Sequence, residues 1–168
     1  MTTPDATNKP PLNELEMQQL ADLAKEQAQR VMGKIPVLGA VAWLMMQQAG
    51  ARHTLLSELD WRVMPALVLE QAKLYMRDSA PIAYVSWAKL SDAAAQRYVE
   101  APHHLTAADW KSGDQVWLID LVTPFGGAAE VMKELRETVF AGKAIHQLMP
   151  DAQGHAKTLT WPVVGNSH

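Results

Sequence analysis

Apolar residues recur at helical spacing from Leu12 to Met32, where Leu15, Leu20, Leu23 and Val31 form one stripe. Glu14, Glu16, Asp22, Lys25, Glu26 and Arg30 fill the other side. Asn13 suits the capping position, and Gly33 with Pro36 should close the segment. Val37 to Gln48 then predicts a second helix, almost wholly apolar in its first turns and ended by Gly50. Between Leu59 and Leu69 the pattern predicts a short helix opening near Pro65, since proline suits a first helical turn.

The pattern then changes. Lys73 to Arg77 and Ile82 to Trp87 read as two strands joined by the turn Asp78-Ser79-Ala80-Pro81, a β-hairpin. Ser91 should cap a helix running to Tyr98. Val116 to Val122 is apolar at nearly every place and bounded by Gly113 and Pro124, the mark of a buried strand. Ala128 to Phe140 carries Val131, Met132, Leu135 and Val139 on one helical face. Ala144 to Leu148 and Lys157 to Trp161 predict two last strands around the turn Pro150 to Gly154. The expected architecture is α/β: a mixed sheet in one layer with helices packed on it. Residues 1–11 should be a disordered tail, 12–34 an added helix, 35–162 the main domain and 163–168 a frayed end.

Composition narrows the function classes. The chain has 168 residues, 48% of them hydrophobic, enough for a real core. With a formal net charge of −3 it lacks the basic excess that nucleic-acid binding requires. It has no cysteine, which excludes disulfides, thiolate chemistry and cysteine-type zinc sites. Residues 1–11 do not have the pattern of a secretory signal, and the longest apolar stretch, Ile35 to Met46, is too short to span a bilayer. A cytoplasmic protein with no transmembrane segment is expected.

One residue breaks the central strand's pattern: Asp120. A carboxylate inside a buried strand costs several kcal/mol unless it is paired or opens onto a polar cleft. The bland alternative places it near the strand's exposed end, merely solvated. The strand leads through Phe125, Gly126 and Gly127 into a helix, whose first free N–H groups attract anions and carbonyl oxygens. His53 follows directly on the apolar second helix. A lone histidine there is commonly structural, but it is also the natural general-base candidate. His103 and His104 are adjacent, yet no third ligand accompanies them, so no metal site is expected.

Spaced motifs in a fixed order carry a family resemblance. They are Leu38-Gly39-Ala40-Val41-Ala42-Trp43-Leu44, the histidine at 53, Met64-Pro65-Ala66, and Pro81-Ile82-Ala83-Tyr84-Val85-Ser86-Trp87-Ala88. Asp109-Trp110, Ser112-Gly113-Asp114, Trp117, Ile119-Asp120 and Thr123-Pro124-Phe125-Gly126 complete the series. Over about residues 37–127 the chain resembles the RTX toxin-activating lysine acyltransferases. The resemblance implies an acetyltransferase-like (GNAT-like) fold. It also implies transfer of a fatty acyl chain from acyl carrier protein to lysine ε-amines of an RTX protoxin, with no tightly bound cofactor. It maps the family's catalytic pair onto His53 and Asp120. Acyl carrier protein and protoxin are then the partners, and a homodimer is possible.

Departures surround the histidine, where Gly50-Ala51-Arg52-His53-Thr54 stands in place of the family's Ser-Pro-x-His-Arg. Leu121 replaces a usual tryptophan. In the mechanism this implies, His53 takes a proton from the attacking lysine, directly or through a water, and Asp120 orients His53 or holds the lysine ammonium; an acyl-enzyme on His53 is the alternative. The N–H groups of Gly126 and Gly127 are the candidate oxyanion donors. The apolar helix Val37–Met46 is a candidate lining for an acyl channel. Lys133, Arg136 and Lys143 are candidates for a patch facing the acidic carrier protein. The alternatives are an acetyl-CoA-dependent N-acetyltransferase and a catalytically degenerate adaptor or chaperone.

Overall fold

A computed structural model describes residues 12–164. The tail expected over 1–11 and most of the end expected over 163–168 lie outside the described residues. Its elements are α1 (Glu14–Gln47), α2 (Leu59–Arg62), α3 (Met64–Val68), β1 (Ala72–Arg77), β2 (Ala80–Leu90), α4 (Asp92–Val99), β3 (Gln115–Val122), α5 (Ala128–Glu137), β4 (Ile145–Pro150) and β5 (Ala156–Trp161). Two short 3-10 turns, Ala51–His53 and Leu56–Glu58, lead from α1 into α2.

The chain forms two compact units, the first reaching Gly33 and the second beginning at Lys34. In the first, Asn13 and Glu16 cap α1 reciprocally. The Glu16 N–H donates to Asn13 Oδ1 at 2.8 Å, and the Asn13 N–H donates to Glu16 Oε2 at 2.9 Å. The expected break at Gly33 and Pro36 is absent: α1 runs on as one helix with Pro36 inside. Proline there forfeits one backbone hydrogen bond. Beyond it, burial of Val41, Leu44 and Met45 supports the helix.

In the second unit, five strands form one sheet in the order β1-β2-β3-β4-β5. Every pairing is antiparallel except β3 with β4. The mixed sheet flanked by helices agrees with the expected α/β, GNAT-like class. The β1–β2 hairpin turns on Asp78 and Ser79, both with positive φ, as a two-residue turn matched to strand twist requires. Ser91 caps α4 by accepting from the Ala94 N–H at 3.2 Å. Helix α5 packs Val131, Met132 and Leu135 against Ala83, Val85, Trp87 and Leu118 on one sheet face. The other face carries Ala88, Leu90 and Trp117 under α4, and Tyr84 and Val122 against the C-terminal part of α1.

One irregularity in the sheet determines where the chemistry lies. Across from β3, Ser86 pairs with Asp120 and Trp87 with Leu118, so Ile119 is an extra residue on β3. Such a bulge sets the side-chain alternation back by one. Val116 and Leu118 point to the α5 face, as does Leu121, while Ile119 and Val122 pack on the other. Asp120 thereby shares a face with its neighbour Ile119 and with Ser86 across the ladder.

The parallel pairing of β3 with β4 is short, from Val116–Ile145 to Leu118–Gln147. Beyond it the Gln48 side chain meets β3. Its Nε2 donates to the Leu121 carbonyl at 3.4 Å, and its Oε1 accepts from the Thr123 N–H at 2.7 Å.

Candidate active site

Asp120 is 3% exposed. The solvated strand end offered as the bland alternative is therefore wrong, because the bulge turns this carboxylate inward. It is neutralised by Arg62, the last residue of α2. Arg62 Nε donates to Oδ1 at 2.9 Å and to Oδ2 at 3.0 Å, and Nη2 donates to Oδ1 at 2.5 Å. Burial pushes the Asp120 carboxyl above the usual carboxylate range, and the adjacent guanidinium pulls it part of the way back. For Arg62 burial acts to lower the pKa, but the charge and hydrogen bonds of Asp120 outweigh it and raise it further.

The surroundings fix Arg62 in place. The buried Trp110 indole donates to the Trp61 carbonyl at 3.1 Å, which ties α2 to the body beneath α4. Arg62 Nη1 reaches Thr54 Oγ1 at 3.5 Å. The guanidinium also borders a cavity of about 370 Å³ whose walls include Tyr98, Ile119, Leu148 and Met149. This cavity lies beyond the point where the β3–β4 pairing ends.

Two buried hydroxyls complete the cluster. Tyr84 Oη and Ser86 Oγ are enclosed and meet no hydrogen-bond partner among the described residues. Burial and the nearby Asp120 charge raise the Tyr84 phenol well above its usual range. The Tyr98 phenol, on the same face, is raised to about 12 by burial and then by Asp120. Both tyrosines are therefore neutral at physiological pH.

The other residues expected at the site lie elsewhere. His53 is exposed at the end of the first 3-10 turn, one residue before Thr54, and no hydrogen bond joins it to Asp120. Gly126 and Gly127, with φ of 88° and 89°, line a different cavity of about 570 Å³, shared with Tyr75, Arg77 and Glu134 on the α5 face. The positive φ explains why glycine stands at both positions. His103 Nδ1 lies 3.0 Å from the Tyr98 carbonyl, and the His104 ring packs 4.4 Å from Trp61. Among the described residues no three potential metal-ligating side chains come together. Arg62 was not singled out by the sequence reading, although a buried carboxylate demands a cation. Tyr84 and Ser86 lay within a quoted motif, but nothing in their spacing revealed that their hydroxyls are enclosed.

Residues 30–160 match the model of the RTX toxin acyltransferase family. The chain belongs to that family. Among the family's curated proteins, an RTX-II toxin-activating lysine-acyltransferase of Actinobacillus pleuropneumoniae is 40% identical over 101 residues, 60% of this chain and 63% of the relative. A protein-lysine myristoyltransferase of Kingella kingae is 37% identical over 106 residues, 63% of this chain and 64% of the relative. One of Escherichia coli is 34% identical over 121 residues, 72% of this chain and 71% of the relative. The chain thus spans a little over three-fifths of the first two relatives' length. Asp120, Arg62, Thr54, Tyr84 and Ser86 all lie inside the span matched to the acyltransferase family.

Proposed function

We propose that this protein transfers a fatty acyl group from the thioester of acyl carrier protein to internal lysine ε-amines of an RTX protoxin, and so activates it. Family membership over residues 30–160 carries this reading, supported by relatives named for lysine acylation and myristoyl transfer.

The chemistry requires a neutral amine, because a lysine ammonium has no lone pair. The amine nitrogen bonds to the acyl carbon, the carbon–sulfur bond breaks, and the carrier thiol leaves with the proton the amine gives up. His53 is our proposed acceptor of that proton, directly or through water, and its exposure leaves it reachable. Asp120 holds the Arg62 guanidinium, whose Nη1 is not used by the carboxylate. In our reading Arg62 stabilises the oxyanion of the tetrahedral intermediate. The cavity beyond the β3–β4 pairing is the proposed berth of the donor's thioester arm. Any substrate-binding role of Gly126 and Gly127 belongs to the separate cavity they line. Lys133 and Lys143 are exposed and suit an acidic carrier protein, whereas Arg136 is engaged with the Pro162 carbonyl and the Trp161 ring. A cytoplasmic location, a homodimer and the absence of a tightly bound cofactor belong to the same reading.

One observation favours a second reading. Arg62 contacts both oxygens of Asp120, and no hydrogen bond joins that carboxylate to His53. A catalytically silent adaptor that binds an exported protein would tolerate this arrangement. An acylation assay with loaded acyl carrier protein, an RTX protoxin and intact-mass readout separates the two. Mass gains of whole acyl chains, lost in His53→Ala and Asp120→Asn, are expected. Absence of any gain on a protoxin that a relative does acylate would reject the enzyme reading.

A further inference from the structure

A third cavity, of about 270 Å³, includes in its wall Thr54, the residue that Arg62 Nη1 reaches. Its walls are mostly apolar: Ala42, Met45 and Met46 from α1, Ala51 from the first 3-10 turn, and Leu56 and Leu59 beyond it, with Arg52 and Thr54 as the polar residues. Met45 is buried, but Met46 is 58% exposed and Leu56 84% exposed. Large apolar side chains grouped around an opening mark a surface that gains by being covered. Methionines suit a flexible ligand, because their unbranched side chains adapt to its path. Thr54 belongs to the wall of this cavity and also meets Arg62 Nη1. The cavity therefore has an apolar sheath and a polar end that leads to Arg62 and Asp120.

We propose that this cavity holds the hydrocarbon end of the acyl chain, with Ala42 and Leu56 setting the chain length accepted. The ligand class follows from the shape of the chemistry. A fatty acyl group is apolar along its length and polar only at its carbonyl, and the cavity sets six apolar residues beside one polar pair, Arg52 and Thr54. A phosphate-bearing ligand would find a single cation, Arg52, among six apolar residues, a poorer match than a long hydrocarbon with one polar end. The inference rests on the acyltransferase reading for the identity of the carbonyl's carrier, but the cavity's own chemistry selects the chain.

The test uses the full chain with acyl carrier proteins loaded from octanoyl to hexadecanoyl, and a fluorescent fatty-acid probe in a separate binding titration. Ala42→Phe fills the cavity from α1. Leu56→Asp places a charge at its opening and, on a side chain this exposed, leaves the fold intact. Both variants are expected to weaken the probe and to favour shorter chains. Each methylene excluded should cost about fourfold in relative kcat/KM for the long donors. Thermal unfolding checks that Ala42→Phe remains folded. Unchanged chain-length preference and unchanged probe binding in both variants would overturn the proposal. If the wild type transfers no chain yet binds the probe, and both variants weaken that binding, the cavity assignment stands and the acyltransferase reading falls.

Discussion

Arg62 donates three hydrogen bonds to Asp120, two from Nε and one from Nη2, and the carboxylate is left with no direct bond to His53. The pair is enclosed enough that neither partner is dispensable alone. Loss of the guanidinium would leave a carboxylate that is 3% exposed without its cation. The same geometry leaves Nη1 pointing toward Thr54, so the pair is both a structural joint between α2 and β3 and a fixed source of positive charge.

Arg62→Ala should therefore destabilise the fold by about 3–5 kcal/mol, because it strands a buried carboxylate. The double variant Arg62→Met with Asp120→Leu should recover most of that loss in chemical denaturation, yet remain inactive in acyl transfer. Recovery of activity along with stability would show that the pair is purely structural.

Ser86→Ala should raise stability by about 1 kcal/mol or more. The serine hydroxyl is buried opposite Asp120 without a partner among the described residues, and leaving such a group unsatisfied costs about 1–3 kcal/mol. The shift is read as a higher denaturant midpoint at unchanged slope. A lower midpoint would mean that the hydroxyl has a partner in solution, such as an enclosed water.

Gly113→Ala should be damaging for a different reason. A Cβ at this position would lie 2.5 Å from the Ser91 Cα and 2.6 Å from the Leu90 carbonyl oxygen, both backbone atoms that cannot swing away. The loop entering β3 would have to move off the start of α4, at a cost on the order of 1–3 kcal/mol. Thermal unfolding of the variant checks this.

Strong acid should weaken the Thr106–Trp110 turn, at a pH below the range in which ordinary carboxylates titrate. Asp109 accepts from the Thr106 N–H at 2.9 Å and from Arg97 Nη2 at 2.8 Å. Burial alone would raise its carboxyl, but these hydrogen bonds outweigh it and hold the pKa below the usual range. The folded value is thus depressed, so its stabilisation is complete above the unfolded carboxylate value, about 3.9. It is lost as the pH falls through the folded value. Asp109→Asn should cost about 1–3 kcal/mol at neutral pH and flatten the acid limb of the stability curve.

Much of the fold was legible because period and punctuation agreed. The β1–β2 hairpin, the Ser91 cap, the central strand and the α5 stripe each announce themselves locally. What was not legible is long-range or geometric. The expected stop at Pro36 failed because packing of Val41 and Leu44 outweighs one missing backbone bond. Asp120 stood out as a misfit in an apolar run, but the bulge at Ile119 that turns it inward has no signature in residue type. Arg62 is 58 residues away in sequence, so only the folded chain shows that it answers Asp120. The placement of Gly126 away from Asp120 follows from α5 crossing the opposite face, a choice made by the whole sheet.

The Gln48 carboxamide has a consequence for the molecule's solubility. It donates to the carbonyl of Leu121 and accepts from the N–H of Thr123, the two bonds that a parallel strand opposite Val122 would make. A single side chain thus stands in for a missing strand at the end of β3. Unsatisfied strand edges recruit other chains and seed aggregates. By stoppering this edge, Gln48 denies it to a stray β-segment of another molecule.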